Sequence, residues 1–93
     1  MTLMDIRALR AAVQSVVNGV DPEGLLRMGA PINEYDPEID DFVGAIARDV
    51  PITEDFVRET WARWFDPRAG ERTCLVELTG RLMAVQRDWR GSR

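Results

Sequence analysis

ERTCLVELTGRLMAVQRDWR, residues 71–90, sets Leu75, Leu78, Leu82, Val85 and Trp89 at alternating spacings of three and four. That period is the stripe of an amphipathic α-helix and fits no strand, whose side chains alternate every second residue. Val76 and Met83 widen the apolar face to about half the circumference, the pattern expected of a central helix that touches several others. Gly80 interrupts the run at a cost of roughly 1 kcal/mol relative to Ala. Val76, Gly80 and Met83 together form a second face, which either packs under the first helix or makes a homodimer contact.

Working back along the chain, VPITEDFVRETWARWF (50–65) repeats the helical period. Thr53 is a capping residue, with Ile52 and Val57 placed as a hydrophobic staple across the cap. The expected buried arc is Val57, Thr60, Trp61, Trp64 and Phe65, with Glu59 and Arg63 as an outer i, i+4 pair. Core packing is the reading for Trp61 and Trp64. A further helix is expected over 37–48, with Ile39, Phe42, Val43 and Ile46 inward, and a first one over 3–18. There Ile6, Leu9, Val13, Val16, Val17 and Val20 fall within about a 100° arc. Thr2 is placed to cap this first helix and Gly19 to end it.

Asp-Pro occurs at 21–22, 36–37 and 66–67. An Asp side chain can accept from the free N–H groups of a first helical turn, and Pro at the next position has none to waste. Each pair is therefore a candidate helix start, the first opening a short helix over 22–28 that Gly29 and Pro31 end. The expected fold is all-α, a small bundle of four longer helices plus one short helix, in a single domain over 1–93.

The composition narrows the function. All 12 basic residues are Arg and there is no His, so imidazole base and metal chemistry and lysine chemistry are missing. Such Arg usage fits a GC-rich bacterial genome. Ser15 and Ser92 sit in no nucleophile motif. The chain is read as not an enzyme, with no catalytic residue and no cofactor. Cys74 is the only cysteine, which excludes an internal disulfide and fits a reducing compartment. No apolar run is long enough for a membrane span, and Asp5, Arg7 and Arg10 interrupt any signal-like stretch, so the expected location is cytoplasmic. A pI near 4.7 and the lack of Lys argue against nucleic acid.

Charge is uneven. Residues 1–55 hold 4 Arg against 11 acids, and residues 56–93 hold 8 Arg against 5. Either the two halves pair their charges or an acidic face meets a basic partner. The densest acidic stretch is GAPINEYDPEIDDF (29–42), with Glu34, Asp36, Glu38, Asp40 and Asp41 and no basic residue. An EF-hand count from Asp36 fails, with Asp41 where Gly belongs and Ala47 where Glu belongs. On a helix, Glu38, Asp40 and Asp41 also spread over about 160°, so no metal site is expected. Carboxylates at a helix start favour its positive end, and Asp36 is placed as the cap. Tyr35 either covers the core or stands among the acids as part of a recognition surface.

VDPEGLLRMGAPINEYDPEIDDFV (20–43) resembles the characteristic segment of the YugE-like family of small helical bacterial proteins of unknown function. The matching positions are Asp21, Pro22, Gly29, Pro31, Glu34, Tyr35, Asp36 and Glu38; an aromatic precedes the first Asp-Pro in that family, where this chain has Val20. The resemblance implies a small α-helical bundle and brings no activity with it. Some similar small acidic proteins are suspected immunity partners of secreted toxins.

The expected function is a non-enzymatic interaction domain. Its Glu34, Tyr35, Asp36, Glu38, Asp40 and Asp41 would dock a protein partner with a basic surface, an immunity-type partner being the sharper form. The alternatives are a ligand- or metal-responsive regulatory domain and a structural homodimer.

Overall fold

In the computed structural model, which describes residues 3–93, the chain forms four α-helices and one 3-10 turn, with no strand among the described residues. α1 spans Ile6–Val20, α2 Asp36–Ala47, α3 Glu54–Trp64 and α4 Cys74–Gly91, and the 3-10 turn Ala69–Glu71 precedes α4. α1 packs on α2 and α4, and α3 packs on α2 and α4, so the helices close a ring around one core. The Cα radius of gyration is 12.8 Å, against about 12 Å expected of a compact chain of this length.

Each helix turns its 3/4-spaced residues into that ring. Leu9, Val13 and Val17 come from α1, Ile39, Phe42 and Ile46 from α2, Val57 and Trp61 from α3, and Leu75, Leu78 and Leu82 from α4; all are fully buried. Burying such a side chain is worth about 1.5–3 kcal/mol. Trp61 is the hub. Its ring lies parallel to Phe42 at 6.5 Å between centroids, and Tyr35 and Phe65 sit 5.7 and 5.2 Å away.

Several expectations fail at the edges of this ring. Ile6 and Trp64 are not in the core but about half exposed: each lies at a helix end, and the Trp64 indole turns outward to the Asp41 carboxylate on α2. α4 packs chiefly on two helices like the rest, and its Val76 and Met83 stand exposed rather than under α1. The outer pair on α3 is Arg58 with Glu54, whereas Arg63 crosses to Asp41 on α2. The cap of α1 is Asp5, whose carboxylate accepts from the Ala8 amide at 2.8 Å. The expected cap Thr2 lies outside the described residues.

The first Asp-Pro does not open a helix. Asp21 ends α1 instead, in the left-handed region at φ 48° with its amide donating to Val17 O at 2.8 Å. Gly19 stays inside the helix. Residues 22–29 form successive turns, and the short helical element of the chain is Ala69–Glu71. At the second Asp-Pro, Tyr35 occupies the cap position without a side-chain bond to the first turn, and Asp36 sits in that turn of α2. At the third, the Asp66 carboxylate accepts from the Ala69 amide at 2.9 Å, as a start signal should. Thr53 caps α3 through the Phe56 amide as expected.

Two polar fasteners hold the connections. The Gln86 amide on α4 donates to Val50 O at 2.7 Å and accepts from the Ile52 amide at 2.9 Å, pinning the α2–α3 turn. Between α3 and α4, Arg58 donates to Gly70 O and Arg72 O at 3.0 and 3.1 Å. Gly70 is obligatory there, because a Cβ would lie 2.8 Å from Arg58 O and 2.9 Å from the Ala62 Cβ.

Candidate functional site

The acidic stretch begins α2, and the fold distributes its members among four different environments. Arg10 of α1 pairs with Asp36 at 3.5 Å and makes a close hydrogen bond to Asp40. On the α3 side, Asp41 Oδ2 accepts from the Trp64 indole at 2.7 Å and pairs with Arg63 at 3.4 Å. Glu38 is buried, and its Oε2 has no donor among the described residues. Glu34 is exposed.

The stretch is therefore not a free strip of five charges. Three of its carboxylates are tied to the protein's own arginines and a fourth is inside. At their exposure these pairs contribute at most about 1 kcal/mol each, so they order the side chains more than they stabilise the fold.

Tyr35 is wholly buried and belongs to the core rather than to a recognition surface. Its hydroxyl donates to Asp21 Oδ1 at 2.6 Å and accepts from the Glu23 amide at 3.1 Å. Asp21 also accepts from the Leu26 and Arg27 amides at 3.2 and 3.1 Å. Glu23 extends the network, accepting from the Trp61 indole at 2.8 Å and from Arg72 through both its oxygens at 2.6 and 2.8 Å. This chain of bonds ties the 21–35 loop to α3 and to the start of α4. Burial works against ionisation of Asp21. The Tyr35 hydroxyl, the two amides and the Arg27 guanidinium outweigh it and hold the carboxyl below its usual range. Burial, and then the bond to Asp21, push the Tyr35 hydroxyl well above the usual tyrosine range.

Apart from the Leu26 and Arg27 amides, 5 and 6 positions from Asp21, the members of the network lie 12 to 49 positions apart, beyond any local pattern. The one available signal was a single Tyr preceded by an Asp-Pro loop that no helix needed.

Between α2 and α3 lies an open cleft of about 210 Å³ lined by Asp40, Asp41, Gly44, Arg48, Phe56 and Arg63. It sets an aromatic wall among charges of both signs, beside the half-exposed ring of Trp64. A second cleft, of about 440 Å³, has Arg68, Arg72 and Cys74 in its lining. The half-buried Cys74 thiol there lies 4.0 Å from Pro22 O. A third, of about 470 Å³, lies at the ends of α2 and α4, where the Arg93 guanidinium stacks 3.6 Å above Trp89.

Among the described residues, no group of three or more His, Cys, Asp or Glu side chains converges as a metal site, and no helix is long and apolar enough to cross a membrane. Gly80, with Val76 and Met83, faces open space on α4; a Cβ there would meet nothing within 4 Å.

The class defined by this geometry is a small all-α ring of four helices with a charged, aromatic-lined cleft. Comparison with protein-family models, curated proteins and solved structures gives no match, so the resemblance of residues 20–43 to the YugE-like family rests on the quoted residues alone.

Proposed function

We propose that the protein is a non-enzymatic interaction domain of the bacterial cytoplasm, whose α2–α3 cleft and acidic rim receive a protein partner with a basic surface. The observation that carries this reading is Trp64. Its indole N–H is already satisfied by Asp41, which leaves a half-exposed aromatic face needing only an apolar contact. Tryptophan is, with tyrosine and arginine, among the residue types enriched where binding energy concentrates at protein interfaces. Glu34 and Asp40 are the exposed carboxylates of the stretch; Glu34 is suited to steering a basic partner toward the ring, and Asp40, paired with Arg10, can exchange that pair for a partner's cation. An immunity-type protein that neutralises a basic toxin is the sharper form of the same reading, and a neighbouring toxin gene would support it.

Affinity capture from the native host tests the proposal, comparing the wild type with Trp64→Ala and with Glu34→Arg/Asp40→Arg. Loss of a basic protein from both variant captures, with helicity unchanged, is the expected result. Equal capture by all three forms would retire the reading. The exposed Val76 and Met83 favour one second reading, a homodimer through α4. Light scattering over a concentration series checks it, and a constant monomer mass would end it.

A further inference from the structure

Glu38 stands apart from every other carboxylate of the α2 stretch. It is only 4% exposed, and one of its oxygens meets no donor. Buried charges are ordinarily paired, since an ionised carboxylate loses its hydration inside a protein. The cations that neighbouring elements bring to α2 are committed elsewhere. Arg10 from α1 is held by Asp36 and Asp40, and Arg63 from α3 by Asp41. The 21–35 loop brings another acid, Glu34, while its one cation, Arg27, is held by Asp21, and Arg48 lies exposed at the far end of α2 beside Gly44. Asp41 is three residues from Glu38 on the same flank of the helix, the flank that meets α3 through Trp64 and Arg63.

We infer that Glu38 is a proton-responsive element on the α3-facing flank of α2: its buried, unpartnered carboxylate weakens the fold when ionised, so that the fold gains stability as Glu38 takes up a proton. Burial pushes the carboxyl above its ordinary value of 4.5; its own backbone amide opposes this, and Asp41, Glu34 and Asp36 add to it. The sign follows. A carboxyl whose native pKa is raised imposes no penalty below its unfolded value, and the full penalty above its native one. This device is independent of any partner, because every group it uses belongs to the chain.

Thermal melts of the wild type and Glu38→Gln from pH 4 to pH 8 provide the test. The variant keeps the shape of the side chain and removes its charge. Its melting temperature should match the wild type at pH 4 and exceed it by several degrees at pH 8. A difference that is constant with pH, or that reverses sign, would overturn the inference. A carbon-detected NMR titration of the wild-type Glu38 carboxyl keeps the test open if the variant folds poorly. A midpoint above 4.5 supports the inference, and one at or below it defeats the inference.

Discussion

Tyr35→Phe removes one oxygen atom from the centre of the molecule and leaves the ring in place. That oxygen donates to Asp21 and accepts from the Glu23 amide. After the change Asp21 keeps the Leu26 and Arg27 amides, so its charge is not stranded. The Glu23 amide, in contrast, loses the partner found for it. A hydrogen bond to a charged group contributes about 1.5–3 kcal/mol, and an orphaned buried donor about 1–3 kcal/mol. Partial relaxation of the loop toward water offsets some of this, so the expected loss is about 2–3 kcal/mol.

For a domain of this size such a loss lowers the melting temperature by about 10–20 °C. Urea unfolding followed by both circular dichroism and tryptophan emission measures it, and an unchanged slope against urea would show that the unfolded state was not altered. A loss within about 0.5 kcal/mol, the scatter of ordinary surface substitutions, would refute the claim that this network fastens the 21–35 loop.

The same network sets the acid limb of stability. The Asp21 carboxyl is held below its ordinary value of 3.8, so its contribution is complete above that pH and is lost as pH falls through the lower native value. Asp21→Asn should flatten that limb, measured as the melting temperature between pH 2 and pH 5, with a wild-type slope counting against it. Arg72→Ala leaves Glu23, whose side chain is only 12% exposed, with the Trp61 indole as its remaining side-chain donor, and urea melts should show a loss of about 1.5–3 kcal/mol. Arg10→Ala frees two carboxylates that already reach water, and urea melts should place its loss below about 1 kcal/mol.

How far the amino-acid order discloses this molecule depends on the range of the forces involved. The inward registers of α2, α3 and α4 were legible because the 3/4 spacing of apolar residues is a local property that burial obeys. Thr53 and Asp66 were legible for the same reason, as each satisfies amides three residues away. Asp21 was not. Its amide closes α1, while its carboxylate serves Leu26, Arg27 and Tyr35, and no short-range rule ranks those roles above capping a following helix. Arg10 lies 26 and 30 positions before its partners Asp36 and Asp40, so whether the acidic stretch is paired or free stayed open in the sequence. The charge imbalance between the two halves did foreshadow the pairs Arg63–Asp41, Arg72–Glu23 and Arg90–Asp49. Trp64 and Ile6 follow the apolar period but sit at helix ends and stay half exposed, Trp64 bonded to Asp41, which periodicity alone does not register.

The corner at Gly70 has a mechanical corollary. One guanidinium grips two carbonyls while bare backbone presses on the preceding helix, leaving almost no slack between α3 and α4. The angle between α3 and α4 is thus set by a joint three residues long, and any side chain at position 70 would have to pry it open.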